Sequence, residues 1–203
     1  MIGSISIKLD GDKLSNRSCL VGPDGAIVAR YSKIHMFDVQ VGDGATYRES
    51  HTYEPGTEAV LAATPWGPLG MTICYDIRFP ALYRTLAQAG AGMITAPAAF
   101  TQVTGQAHWH VLQRARAIEN GAFIISAAQT GTHAEGRRTY GQSVIVAPWG
   151  EVLADAGEAP GVITAEIDLA DVAKARDKVP SLSHDRVFAA PRAAEAAPVA
   201  AGE

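Results

Sequence analysis

Cys74 is the residue whose type and surroundings best fit nucleophilic chemistry. The apolar run from Leu69 to Ile73 precedes it and is typical of a buried strand. Pro80 follows, and proline is tolerated in the first turn of a helix because N–H groups there have no partner within the helix. The pattern predicts a sharp strand-to-helix turn that places the thiol among unpaired backbone N–H groups. The alternative is that Cys74 only fills space in the core, as free cysteines often do.

Lys33 is the candidate cation for such a site, because it lies between Tyr31 and Asp38 among Ile, Met and Phe neighbours that withdraw it from water. A unit charge ~4 Å from a thiol is worth about 4 kcal/mol at an effective dielectric of ~20. Before desolvation opposes it, that energy lowers a thiol pKa by about three units. The ammonium would also stabilise an oxyanion. The alternative is a lysine whose stem is covered and whose ammonium lies in solvent.

The carboxylates are less distinctive when each is taken alone. Glu49 lies shortly before the turn at Pro55-Gly56 and would by itself be interpreted as a solvated loop acid. Asp38 and Asp76 are expected to orient loops by accepting hydrogen bonds from backbone N–H groups.

Histidine offers two further alternatives. His35 is close to Lys33 in sequence and is a candidate base for a Cys–His pair. His108 and His110 are two positions apart on a predicted helix, so they point in different directions and make a poor metal pair.

The surrounding pattern predicts strands alternating with helices. Three Pro- and Gly-containing turns each join two apolar runs and predict hairpins: Gly22-Pro-Asp-Gly25, Pro65-Trp-Gly67 and Pro148-Trp-Gly150. Further strands are predicted at residues 3–8, 93–96, 122–127 and 161–167. Helices are predicted from Pro80 to Gly90, at residues 107–120 and at residues 171–178. The expected apolar face of the second helix and its end comprises Val111, Leu112, Ala115, Ile118 and Ala122. This alternation favours an α/β fold with helices layered on sheet.

Composition limits the class of protein. With 203 residues, 47% hydrophobic and 19% charged, the chain suits one globular domain, predicted at residues 1–188. Residues 189–203 are almost only Ala, Pro, Glu and Gly, and predict a disordered tail. A net charge of −4 gives no electrostatic reason to expect nucleic acid or an anionic membrane as a partner. The chain shows neither a transmembrane run nor a signal-peptide pattern, so its two cysteines are expected to be free thiols in the cytoplasm.

Taken together, the motifs resemble the nitrilase (carbon–nitrogen hydrolase) superfamily. They are Tyr31 through Asp38, Arg48-Glu-Ser50, Cys74-Tyr-Asp-Ile-Arg-Phe-Pro80, Trp109 through Asn120, Tyr140-Gly-Gln-Ser143 and Pro148-Trp-Gly-Glu151. Within that superfamily the chain is similar to the small-amide hydrolases of the deaminated glutathione amidase and ω-amidase branch. Ala127-Ala-Gln-Thr-Gly-Thr-His133 favours the deaminated glutathione amidase side.

The resemblance implies a four-layer α/β/β/α sandwich, paired through helices as a homodimer or higher homo-oligomer, with neither a metal nor an organic cofactor. By position it implies that Cys74 is the nucleophile, that Lys33 and the Tyr75 backbone N–H form the oxyanion hole, and that Glu49 helps to position the lysine and the substrate. Four further residues are predicted to bind substrate or support the site: Asp76, Arg78, Phe100 and Thr101.

One departure from the family pattern concerns the general base. The resemblance places a glutamate on an N-terminal strand well upstream of Lys33, and none of the 32 residues before Lys33 is glutamate. We therefore expect an N-terminally truncated form of the fold, with a degenerate family member as the alternative. The expected activity is cleavage of a small carboxylate-bearing amide to acid and ammonia through a cysteine thioester. The alternative function is that of a catalytically impaired fragment or degenerate member that serves in binding or assembly.

Overall fold

A six-stranded mixed sheet is the largest element of the computed structural model, which describes residues 3–42 and 44–192. The strands are β1 (Ser4–Lys8), β2 (Leu14–Val21), β3 (Ile27–Ser32), β4 (Asp38–Gln40), β5 (Thr46–Arg48), β6 (Val60–Ala62), β7 (Leu69–Met71), β8 (Met93–Thr95), β9 (Phe123–Ser126), β10 (Thr130–Thr132), β11 (Arg138–Tyr140), β12 (Val144–Val146) and β13 (Val152–Asp155). The helices are α1 (Glu49–Thr52), α2 (Pro80–Gln88), α3 (Gln102–Asn120) and α4 (Ala170–Lys178), and 3-10 turns cover Cys74–Arg78, Ala134–Gly136 and Ser181–Ser183.

The six-stranded sheet has the spatial order β13-β12-β9-β8-β7-β6. Its three central strands, β9, β8 and β7, are parallel, and the pairs toward both edges are antiparallel. A separate antiparallel sheet contains β1, β2 and β3, and β4–β5 and β10–β11 form two-stranded ribbons. The hairpins predicted at the three Pro- and Gly-containing turns are confirmed.

Alternating side chains of the large sheet contribute to two cores. On the first face, Ile94 and Ile124 pack with residues of α2 and α3 such as Leu86 and Trp109. On the second, Met93 and Phe123 belong to a cluster that also contains Tyr31 of β3. Successive strand residues point to opposite faces, so one sheet is covered by helices on one side and by the three-stranded sheet on the other. The described residues thus form helix, sheet and sheet layers, and the predicted α/β class is confirmed.

The predicted apolar face of the second helix is wrong at Val111 and Ile118, whereas Leu112 packs against the core and Ala122 is buried. Val111 and Ile118 are 68% and 53% exposed, whereas the buried side of α3 carries Trp109, Gln113 and Arg116. Gln113 accepts a hydrogen bond from the Ser126 hydroxyl (2.8 Å), and Arg116 donates to the Ile77 carbonyl (2.7 Å). Because the Gln113 side-chain carbonyl and the Arg116 guanidinium find partners inside the protein, these residues are buried at positions that hydrophobicity alone would place in solvent.

One element boundary and one predicted strand also differ from the sequence predictions. The helix begins at Gln102 rather than at residue 107, because Thr101 caps it by accepting from the Thr104 N–H. The strand predicted at residues 161–167 is wrong: this part of the described chain has no regular secondary structure. Its burial still alternates between partly covered and exposed residues, which explains the strand-like pattern.

The prediction of a tail falls mainly on residues 193–203, which lie outside the described residues, and residues 189–192 are exposed and irregular. The boundary of the predicted domain at residue 188 stays a prediction. In the described part of the chain, none of the helices has the length and apolar character needed to span a membrane.

Close packing of α3 on β11 yields a stability prediction. A Cβ added at Gly105 would lie 2.3 Å from the Tyr140 side chain, which is closer than atoms can approach. Gly105→Ala is therefore expected to destabilise the fold by about 1–3 kcal/mol, despite a gain of roughly 1 kcal/mol in helix propensity. The urea midpoint measures the change. Gly161→Ala is the control, because a Cβ there meets nothing within 4 Å; a Gly105→Ala protein as stable as that control would contradict the packing argument.

Candidate active site

A cavity of about 600 Å³ brings together the three residues that the sequence selected. Cys74 reaches it from the turn that follows β7, Lys33 from the position directly after β3, and Glu49 from the first residue of α1. These elements belong to different layers of the fold. The site is therefore assembled by the packing of the two sheets.

Cys74 occupies a strained backbone position. Its φ of 50° lies in the left-handed region, which costs a non-glycine residue about 1–3 kcal/mol and is typical of functional turns. Its own N–H donates to the Pro97 carbonyl at 3.0 Å, which holds the turn against the sheet. The predicted sharp turn is confirmed, with the 3-10 turn Cys74–Arg78 inserted before α2 begins at Pro80. As the second residue of this 3-10 turn, Tyr75 has a backbone N–H without a carbonyl acceptor inside the turn.

Lys33 and Glu49 form a buried ion pair. The Lys33 side chain is 3% exposed and the Glu49 side chain 13%, and the ammonium donates to Glu49 Oε2. Glu49 also accepts from the Phe37 N–H at 2.7 Å and from Asn16 Nδ2 at 3.2 Å. The alternative interpretations of a snorkelling lysine and a solvated loop acid are therefore wrong.

The Cys74 thiol has a pKa above its ordinary value. Burial is the main cause, and the Lys33 ammonium and a hydrogen bond from the Ala99 backbone oppose it without overcoming it. Glu49 also raises the Cys74 pKa, because its negative charge disfavours a thiolate. The sequence expectation of a pKa lowered by Lys33 is thus corrected: burial outweighs the nearby cation.

The structure separates the four predicted supporting residues into two groups. Phe100 and Thr101 line the cavity. Asp76 is fully buried and Arg78 lies outside the lining, with its guanidinium 5.9 Å from the Tyr75 ring and 5.3 Å from the Phe100 ring. Asp76 and Arg78 therefore support the walls of the cavity from behind.

The histidine alternatives are not supported by the geometry. His35 is not part of the cavity lining, and its Nδ1 lies 2.8 Å from Asp76 Oδ1. His108 contacts Arg78 and His110 contacts Asp155, so the two face different partners. Among the described residues, no group of three or more His, Cys, Asp or Glu side chains could hold a metal ion.

Sequence reasoning missed several residues of the lining, above all Arg48 and Arg137. Arg48 precedes Glu49 directly, so its position was accessible from the same motif. Arg137 lies in the connection between β10 and β11. No local pattern indicates that this ribbon folds toward the cavity, because its position depends on packing against α3 and on a bridge between Thr101 and Thr139.

The state of the thiol can be measured by alkylation. Cys19 is the other cysteine of the chain. In a Cys19→Ala background, the rate of reaction of Cys74 with iodoacetamide should rise with pH through a midpoint above that of an ordinary cysteine, because only the thiolate reacts. Lys33→Met should move the midpoint higher still, since it removes the charge that favours the thiolate. A midpoint below that of an ordinary cysteine, or one that Lys33→Met leaves unchanged, would contradict the balance of burial and charge described for the Cys74 thiol.

Sequence and structure comparisons identify several proteins that this chain resembles. The carbon-nitrogen hydrolase family matches residues 1–177. Deaminated glutathione amidase of Synechocystis sp. is 49% identical over 181 residues, covering 88% of this chain and 66% of the relative. Omega-amidase NIT2 of Bos taurus is 40% identical over 184 residues, covering 91% of this chain and 66% of the relative. The crystal structure of Saccharomyces cerevisiae Nit3, a member of branch 10 of the nitrilase superfamily, superposes with a TM-score of 0.81 at 34% identity, covering 92% of this chain and 65% of that chain.

The chain spans 65–66% of the length of these three proteins. The resemblance to the nitrilase superfamily, and to its deaminated glutathione amidase and ω-amidase branch, is confirmed, and the predicted nitrilase-type α/β fold is confirmed with it. This chain belongs to the carbon–nitrogen hydrolase family of the nitrilase superfamily.

Proposed function

We propose that this protein is a thiol amidase that hydrolyses a small carboxylate-bearing amide to the acid and ammonia through a thioester on Cys74. The observation that carries the proposal is the position of Cys74, on a strained turn in a cavity that also contains the buried Lys33–Glu49 pair. The relatives named deaminated glutathione amidase and omega-amidase support the same class of reaction.

The reaction begins when the Cys74 sulfur bonds to the carbonyl carbon of the amide. The carbonyl oxygen becomes an oxyanion, which the Lys33 ammonium and the Tyr75 N–H stabilise. The thiol proton leaves as this bond forms and is delivered to the departing nitrogen, which is released as ammonia. Glu49 is the one carboxylate among the described lining residues, and it is the candidate for this transfer besides holding Lys33 in place. Water then hydrolyses the thioester.

The charge of the cavity supports an anionic substrate. Three cations, Lys33, Arg48 and Arg137, line it against a single carboxylate, Glu49, among the described residues. The whole chain has a formal net charge of −4, so this local excess of positive charge is opposite to that of the molecule. Lys33 is neutralised by Glu49, which leaves the exposed guanidinium groups of Arg48 and Arg137 to attract a carboxylate.

The proposal also includes a location in the cytoplasm and assembly as a homodimer.

The nucleophile is tested with a dicarboxylic monoamide by measuring ammonia release and the intact mass of the protein. Cys74→Ala should abolish both ammonia release and the acyl adduct, whereas Cys19→Ala should retain both. Lys33→Met should lower kcat by roughly 10²–10³-fold, the usual cost of losing one oxyanion donor. A wild-type chain that binds the amide but forms neither ammonia nor an adduct would instead support a binding or assembly protein.

The substrate class is tested at Arg137. Arg137→Gln should raise KM about 10- to 100-fold for the monoamide, since a charge-assisted hydrogen bond contributes about 1.5–3 kcal/mol, and should leave a neutral amide of equal length unaffected. Arg138→Gln is the matched control, because the neighbouring arginine is exposed but does not line the cavity. Equal losses for the charged and neutral amides would exclude Arg137 from carboxylate recognition.

A further inference from the structure

Asp76 has an unusual set of contacts for a residue outside the cavity lining. Its side chain is fully buried and both carboxylate oxygens are used twice. Oδ2 accepts from the Tyr31 hydroxyl at 2.7 Å and from the Ile73 N–H at 2.9 Å. Oδ1 accepts from the His35 N–H at 3.1 Å and lies 2.8 Å from His35 Nδ1, which donates because a carboxylate only accepts.

Two of these partners flank Lys33. Tyr31 lies two residues before it and His35 two residues after it, so both ends of the segment that carries the ammonium are attached to one carboxylate. The Lys33 backbone is held as well: its N–H donates to the Asn16 carbonyl at 2.8 Å, and its carbonyl accepts from the Gly56 N–H at 2.8 Å. Little freedom remains for this segment to move relative to Asp76.

The same carboxylate holds the turn that carries Cys74. Its bond to the Ile73 N–H lies directly before Cys74, at the start of the 3-10 turn. At the end of that turn, the Phe79 ring stacks on the His35 ring with centroids 3.5 Å apart and planes 7° apart. The turn is therefore attached at both ends to residues that also hold the lysine segment.

We infer that Asp76 is a positioning residue that fixes the Lys33 ammonium relative to the Cys74 thiol by binding both segments through Tyr31, His35 and the Ile73 N–H. The ion pair with Glu49 alone would not do this, because Glu49 contacts the lysine but makes no hydrogen bond to the turn of Cys74 among the described residues. This role rests on the proposed function and adds to it the residue that sets the geometry of the oxyanion hole.

Substitution of Asp76 itself gives an ambiguous result, because its negative charge acts on the thiol directly. The test therefore changes the donors and leaves the carboxylate in place. Tyr31→Phe removes one hydroxyl without altering volume, and His35→Phe removes a donor while keeping a ring to stack on Phe79. His35→Asn restores an N–H donor near the position of Nδ1 and should recover part of the loss.

The first measurement is the pH midpoint of Cys74 alkylation, which does not depend on amidase activity. Tyr31→Phe and His35→Phe should each raise the midpoint, because a loosened segment lets Lys33 move away from the sulfur. In a Lys33→Met background the same substitutions should leave the midpoint unchanged, since no ammonium remains to be positioned. In the amidase assay each substitution should lower kcat about 3- to 10-fold, the factor that corresponds to one hydrogen bond of about 1 kcal/mol.

Two matched controls separate positioning from a general loss of stability. His110→Phe removes a His–carboxylate contact of 2.6 Å to Asp155, outside the cavity lining. Tyr83→Phe removes a buried tyrosine hydroxyl that contacts Thr72 at 2.7 Å instead of Asp76. Both should lower the melting temperature. Neither should raise the pH midpoint of Cys74 alkylation, as Lys33→Met does.

Equal midpoint shifts in the wild-type and Lys33→Met backgrounds, or no shift in either, would overturn the inference and leave Asp76 a purely structural residue. The proposed function fails separately, by absence of ammonia release and of an acyl adduct on Cys74. A chain that shows the coupled midpoint shifts without turnover would support the positioning role and contradict the amidase assignment.

Discussion

The buried ion pair of Lys33 and Glu49 is the interaction on which the arrangement of the site depends. A charge withdrawn from water must be compensated by a partner and by hydrogen bonds, or it destabilises the fold by several kcal/mol. Lys33 is 3% exposed and has that compensation in Glu49, whose oxygens also accept from Asn16 and Phe37. These residues come from β2, from the loop after β3 and from α1, so neutralising one lysine fixes three separate segments around the cavity.

A second constraint places the thiol opposite that pair. The parallel strands β7 and β8 end at the same edge of the large sheet, and the chain leaves β7 into the turn of Cys74. The left-handed backbone at Cys74 is held because its N–H donates to Pro97, directly beyond β8. Strain at one residue is thus supported by the register of two buried strands, which is how a fold retains a conformation that costs energy locally.

The sequence predicted the parts of this architecture that depend on local chemistry. Spacing predicted the turns at Pro65-Trp-Gly67, at Pro148-Trp-Gly150 and at Cys74. Motif resemblance placed Lys33 in the same site as Cys74. Predictions failed where contacts between distant parts of the chain determine which residues are buried or reach the cavity. Gln113 and Arg116 are buried where Ser126 and Ile77 provide hydrogen-bond partners, and Arg137 reaches the cavity because its ribbon packs on α3. The sign of the pKa shift at Cys74 also depends on burial, which no local sequence pattern provides.

The raised thiol pKa changes the interpretation of what Lys33 does. A free cation beside Cys74 would stabilise a thiolate at rest, but here the Glu49 charge offsets part of that attraction and burial overcomes the remainder. At rest the raised pKa favours the thiol over the thiolate, and the charges of Lys33 and Glu49 compensate each other. In the proposed reaction, an oxyanion would place a negative charge beside Lys33 and the Tyr75 N–H, at positions that the surrounding hydrogen bonds have already set. Interactions that are strong only at that stage lower the barrier without stabilising the ground state. Under the proposed function, the pairing of Lys33 with Glu49 would therefore direct the lysine toward the transition state instead of the thiolate.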